Sequence, residues 1–167
     1  PEHSVTLIDE RYEDIDFETH YDLVGISCMT FNSMRGYEVA DIFRRKGIPV
    51  VFGGYHATLL PEETKQHADS VVIGEAELTW PRLLKDLEKG ELKPFYRAEK
   101  LVPPEQIPPA RHDIGVYTVM EAIQASRGCP VGCEFCAMQK VEGPVFRGRP
   151  IKNIICLLYT SPSPRDS

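Results

Sequence analysis

The chain alternates short apolar runs with longer amphipathic stretches, and the two periods are distinguishable by eye. Residues 4–9 (SVTLID), 22–27 (DLVGIS), 48–52 (IPVVF) and 70–73 (SVVI) are rich in Val and Ile and bounded by polar or turn residues, so each predicts a strand. Between them the spacing becomes helical. Over 33–46, Val39, Ile42 and Phe43 fall on one face, and Gly47 follows as a stop. A short helix is expected over 61–67. A longer one is expected over 79–89, where Trp80, Leu83, Leu84 and Leu87 share a face. Pro81 is tolerated there because the first-turn N–H has no intrahelical partner. Strands alternating with helices predict an α/β fold with a doubly wound parallel sheet.

The pattern then weakens. Residues 91–116 carry Pro94, Pro103, Pro104, Pro108 and Pro109 with little periodicity, which predicts an extended, semi-rigid linker. Residues 117–125 (YTVMEAIQA) predict one more strand, and a helix start follows over 150–155. The expected organisation is a sheet domain over 1–90, a linker over 91–116, a second unit beginning over 117–155, and a tail over 156–167.

In open sheets of this class ligands bind outside the carboxyl ends of the strands. Those ends carry SCMTFNS (27–33), GGYHATLLPEE (53–63) and GEAE (74–77). Gly53 and Gly54 suit either a tight turn or the close approach of a large flat ligand to bare backbone. Ser27, Thr30 and Thr58 offer hydroxyls to a ligand or to caps. Gly74 and Glu75, with Glu77, precede a helix whose N-terminus favours negative charge. His56 is expected on a loop, making hydrogen bonds rather than holding a metal. Cys28 reads as a small buried apolar residue.

Residues 126–136 read SRGCPVGCEFC, which spaces Cys129, Cys133 and Cys136 as C-x-x-x-C-x-x-C. Three thiolates hold an iron–sulfur cluster while leaving one iron open to a substrate. Gly128 and Gly132 allow the loop to wrap tightly enough to aim the sulfurs together. A zinc knuckle or a ferredoxin-like carrier would need a fourth ligand. The nearest histidine, His112, lies well upstream, and the next cysteine, Cys156, lies in a tail of unusual composition.

Charge and length narrow the classes. The 167 residues carry a formal charge of −6, which is no electrostatic footprint for nucleic acid or an anionic membrane. No apolar run is long enough for a transmembrane helix. Cysteines gathered in a metal-type motif favour a reducing cytoplasm over a disulfide framework.

The cysteine motif, with Phe135 before its last cysteine, resembles that of the radical S-adenosylmethionine enzymes. The succession GGxHAT, PEE, GE-x-E and a tryptophan helix resembles the cobalamin-binding domain that precedes the radical domain in one large class of them. The resemblance covers residues 4–90 and 117–155. It implies a Rossmann-like sheet followed by the start of a (β/α) barrel, with residues 117–125 as the first barrel strand. It implies a [4Fe-4S] cluster on Cys129, Cys133 and Cys136, and S-adenosylmethionine chelated by the open iron. It implies cobalamin against Ser27, Thr30, Gly53, Gly54, His56, Thr58, Gly74 and Glu75. Arg147 and Arg149 match the stretch leading into the first barrel helix, or are plain surface charge. No residue receives a catalytic assignment.

The activity so implied is methyl transfer to an unactivated carbon of a small-molecule substrate, fed by a reductant such as flavodoxin or ferredoxin. Ring formation or rearrangement with the same cofactors stays open, as does a non-catalytic cobalamin sensor or electron carrier. The family's domain opens with a strand and helix ahead of the segment at residue 4, so exposed strand edges are expected. Residues 156–166 (CLLYTSPSPRD) resemble translated sequencing adapter, and residues 156–167 are expected to pack on nothing specific.

Overall fold

The computed structural model describes residues 3–109 and 123–160. Its centre is a parallel sheet of four strands, β1 (Val24–Ser27), β2 (Val50–Gly53), β3 (Ser70–Ile73) and β4 (Phe95–Arg97), in the order β1-β2-β3-β4. The connections are α1 (Ser33–Arg45), the pair α2 (Gly54–Leu59) and α3 (Pro61–Lys65), and α4 (Trp80–Glu88).

Successive strand residues point to opposite faces. Val50, Phe52, Val71 and Ile73 pack with Tyr37, Val39, Ala40 and Phe43 of α1 and with Ala57 of α2. Val51 and Val72 turn the other way and pack with Leu83 and Trp80 of α4 and with Tyr96 of β4. Both faces are therefore covered, which is why β2 and β3 carry runs of buried residues rather than an alternation of buried and exposed ones. This is the Rossmann-like arrangement expected, and the predicted boundaries of α1, α3, β3 and α4 agree within about two residues.

Four expectations need correction. Residues 4–9 form no strand: the described pairing of β1 is to β2, and Val5 and Leu7 are 64% and 52% exposed. An apolar run becomes a strand only where a neighbour takes its backbone hydrogen bonds. The presumed linker contains β4, which pairs in parallel with β3 at Val71↔Phe95, Val72↔Tyr96 and Ile73↔Arg97. Three residues are too few to show a period, and Pro94 disguises the strand as linker, although its carbonyl accepts from Val71 N–H at 3.0 Å. Of the expected strand at 117–125, residues 117–122 lie outside the described residues and 123–125 are irregular.

The fourth correction concerns the tail. The helix α6 (Ile151–Thr160) runs through residue 156, and Leu157 is buried to 3% exposure. Helical spacing carries an apolar side chain onto the protein whatever follows it. Residues 161–167 lie outside the described residues. Ahead of α6, β5 (Ser126–Arg127) and β6 (Arg147–Gly148) form an antiparallel pair whose connecting segment holds α5 (Met138–Glu142).

Tyr96 tests the unexpected strand. Its ring is fully buried, and its hydroxyl donates to Asp86 at 2.8 Å while accepting from Lys93 N–H at 3.2 Å. Tyr96→Ala should cost about 3–5 kcal/mol in urea unfolding and Tyr96→Phe about 1 kcal/mol. A loss below about 1 kcal/mol for Tyr96→Ala would remove β4 from the core.

Candidate functional site

The strand register sets the site. Ser27 lies opposite Gly53 in the parallel ladder, so the segments that follow β1 and β2 leave the sheet at the same level. Gly54 then turns with φ +85°, and a Cβ there would sit 2.6 Å from Ser27 Oγ. The glycine is thus required by the approach of these two loops to each other, a cause internal to the fold, and not first by the approach of a ligand. His56 N–H donates to the Cys28 carbonyl at 3.3 Å, locking α2 against the first loop.

Thr58 brings in the third loop. Its hydroxyl donates to the Gly54 carbonyl at 2.8 Å and accepts from Gly74 N–H at 3.0 Å. Ser27, Thr30, Gly53, Gly54, His56, Thr58, Gly74 and Glu75 are consequently gathered on one edge of the sheet. Met29, Phe31 and Met34 stand exposed beside them, Phe31 to 87%.

His56 is not on a loop. It lies in α2 with 1% exposure, beneath the edge. Tyr37 hydroxyl donates to Glu63 at 3.0 Å, which leaves its oxygen to accept from His56 Nε2 at 2.7 Å. Nδ1, 3.2 Å from Thr30 Oγ1, then accepts from that hydroxyl. Both ring nitrogens are engaged, so the residue braces the Thr30 loop as a hydrogen-bonding group.

Glu75 also departs from expectation. Its side chain is 6% exposed and lies inward, not on the rim. Oε1 accepts from Arg147 Nη2 at 2.7 Å and Arg127 Nη1 at 3.2 Å, while Oε2 accepts from Val102 N–H at 2.6 Å and Arg147 Nη1 at 3.1 Å. Arg127 also pairs with Glu77 at 2.7 Å. Burial pushes the Glu75 carboxyl up, but the bonds from Arg147, Val102 N–H and Arg127 outweigh it and hold it below the usual range. Arg147, for which plain surface charge is one of two readings of the sequence, is 9% exposed. Arg149 reaches the carbonyls of Ile107 and Pro108 at 3.3 Å each. These contacts fix the β5–β6 pair onto the third loop of the sheet edge.

The cysteine segment is therefore held close to that edge. Gly128 and Gly132 both take positive φ, +78° and +73°, as the tight wrap requires. Cys129 N–H donates to Gly143 carbonyl at 3.2 Å, and Gln139 Nε2 donates to Cys129 carbonyl at 2.8 Å. Cys129 and Cys136 are partly exposed and Cys133 is exposed. Among the described residues no three metal-ligating side chains converge within reach of one ion. The donor set nevertheless suits an iron–sulfur cluster, being three accessible thiols on one eight-residue stretch already turned by two glycines.

Sequence reasoning missed Tyr55 and Glu142. Tyr55 hydroxyl donates to Glu142 Oε1 at 2.7 Å across 87 positions of sequence, and Glu142 Oε2 accepts from Gly128 N–H at 3.0 Å. Burial, then Glu142, pushes the Tyr55 phenol up to about 12. Tyr55 sits inside the GGYHAT motif, which is the one signal that could have drawn notice to it.

Residues 5–84 match the B12 binding domain family. The chain is thus similar, over its sheet domain, to B12 binding domains. It is 36% identical to the bacteriochlorophyllide d C-8(2)-methyltransferase of Chlorobaculum tepidum over 157 residues, 88% of this chain and 35% of that protein. It is 35% identical to the bacteriochlorophyllide d C-12(1)-methyltransferase of the same organism over 161 residues, 90% of this chain and 35% of that protein. The chain thus spans about a third of the length of the curated relatives it matches. The N-terminal domain of a hypothetical protein from Thermotoga maritima superposes with a TM-score of 0.41 at 24% identity, covering 56% of this chain and 78% of that one. Among the described residues no helix is long and apolar enough to cross a membrane.

Gly54→Ala should destabilise the domain by about 1–3 kcal/mol, because it combines a left-handed backbone with the Ser27 clash. Urea midpoints would show this without any ligand, and an unchanged midpoint would return the glycine to a ligand-only role. For Glu75, a carboxyl depressed in the fold contributes stability above its unfolded pKa of about 4.3, and that contribution is lost as pH falls through the lower folded value. Hydrogen-exchange protection of residues 123–160 should fall as pH drops from about 5 to about 3, and Glu75→Gln should flatten that dependence. Equal acid sensitivity in both proteins would show that the transition arises elsewhere.

Proposed function

We propose that this chain is the cobalamin-binding and cluster-binding part of a radical S-adenosylmethionine methyltransferase acting on a small-molecule substrate. The observation that carries the reading is the placement of the Cys129–Cys133–Cys136 stretch against the carboxyl edge of the sheet, through Glu75 with Arg127 and Arg147 and through Tyr55 with Glu142. Two cofactors that must act on one substrate need such proximity. The names of the two bacteriochlorophyllide methyltransferases favour methyl transfer over ring formation or rearrangement.

Cobalamin would lie on the edge formed by Ser27, Thr30, Gly53, Gly54 and Gly74. His56, Thr58 and Glu75 lie below and hold that edge in shape. The exposed hydroxyls of Ser27 and Thr30 and the apolar Met29 and Phe31 match a broad ring with a polar periphery. Cys129, Cys133 and Cys136 would hold a [4Fe-4S] cluster with S-adenosylmethionine at its open iron. Such a group would supply one-electron reductive cleavage of the sulfonium. The exposed Cys133 and Phe135, the latter 93% exposed, give a reductant such as flavodoxin or ferredoxin an approach to the loop. Three thiols kept as ligands would suit a reducing cytoplasm. Residues 117–155 would begin the radical barrel, reached from the sheet domain by the segment that follows β4.

The chain reconstituted with iron and sulfide without oxygen should take up about four irons, and Cys129→Ala, Cys133→Ala or Cys136→Ala should each remove most of them. Hydroxocobalamin, followed by absorbance, should still bind all three variants. Stoichiometric zinc in place of iron would instead identify a zinc knuckle, and joint loss of both cofactors in every variant would refute two separable sites.

A further inference from the structure

The geometry points to Tyr55 and Glu142 as positioning residues that couple cobalamin binding at the sheet edge to the cluster loop. This inference rests on the function proposed above. Tyr55 stands between Gly54 and His56, whose neighbours form the cobalamin edge, and its hydroxyl donates out of α2 to Glu142 Oε1 at 2.7 Å. The other oxygen of that carboxylate accepts from Gly128 N–H at 3.0 Å, one residue before Cys129. One carboxylate thus joins both cofactor segments.

The loop side of this bridge has little freedom to absorb a displacement. A Cβ at Gly128 would lie 2.1 Å from Val145 carbonyl oxygen, so the backbone is packed tightly there. The helix α5 holds Cys129 through Gln139 on its carbonyl, and Gly143 just past that helix accepts from its N–H. A shift of Glu142 is therefore felt at Gly128 and at Cys129. On the other side, α2 is tied to the loop after β1 through His56 N–H and to the loop after β3 through Thr58. The phenol, pushed up to about 12 by burial and then by Glu142, remains a neutral donor throughout the physiological range.

Coupling between two binding sites is reciprocal and is measured by a ratio of affinities. The test is the hydroxocobalamin dissociation constant of the chain with its iron–sulfur cluster loaded, divided into that of the cluster-free chain. Loading should tighten cobalamin binding by about fivefold or more. Tyr55→Phe and Glu142→Ala should bring the ratio to near one. Glu142→Gln should keep most of it, since a carboxamide can accept from Gly128 and donate to Tyr55. Thermal midpoints establish folding, and if Tyr55→Phe fails to fold, the Glu142 pair decides.

A purely structural bond would weaken cobalamin binding equally in loaded and cluster-free protein, leaving the ratio unchanged, and that result would overturn the coupling. So would a ratio near one in the unaltered chain that binds both cofactors, with the proposed function left standing. Failure of the unaltered chain to take up iron or cobalamin would remove the proposed function and this inference with it.

Discussion

Glu75 is a carboxylate taken almost entirely out of water, and a buried charge is tolerable only when its partners are fixed around it. Arg127 and Arg147 supply two guanidinium groups from the β5–β6 pair, and Val102 supplies a backbone N–H from the segment after β4. Three stretches distant in sequence are thereby held to the end of β3. Removing any one of them would leave opposite charges exposed to a dry environment, so the arrangement specifies one docking of the cysteine segment over others. The same bonds explain why a helix-start glutamate, which composition reads as ordinary surface charge, is buried, as no other carboxylate among the described residues is.

That docking acts on an edge shaped by a separate constraint. Parallel pairing in register delivers the ends of β1 and β2 side by side, and Gly54 lets the two loops close to a distance that no side chain could share. Beneath them the buried His56 is bonded to Tyr37 and to Thr30, and Tyr37 to Glu63, so the edge is braced by a chain of hydrogen bonds. Rigid support from below leaves hydroxyls and apolar side chains free above. A broad cofactor can then meet a surface that does not have to be reorganised on binding.

The functional reading follows from joining these two constraints. A cobalamin-type edge alone is compatible with a sensor, and a three-cysteine loop alone with electron transfer. Held together through Glu75 and Glu142, they would suit a reaction that requires both groups near one substrate carbon.

Much of this was legible in the sequence, because it depends on local rules. The alternation of apolar runs with helical spacing foretold the parallel sheet and α1, α3 and α4. GGYHAT, GEAE and the three cysteines stood out because few backbones need such residues at such intervals. What sequence could not supply were decisions made by neighbours. Residues 4–9 have strand composition yet no ladder, while residues 95–97 have almost no strand signal and complete the sheet, since pairing depends on which backbone lies alongside. His56, Glu75 and Arg147 kept their motif positions but changed role, from exposed groups to buried bonded ones. Tyr55 and Glu142 lie 87 positions apart, and only the folded chain sets a hydroxyl and a carboxylate 2.7 Å from each other. Local chemistry determined which residues could serve as ligands, and tertiary packing decided which of them stand exposed at the sheet edge and which are buried bracing the others.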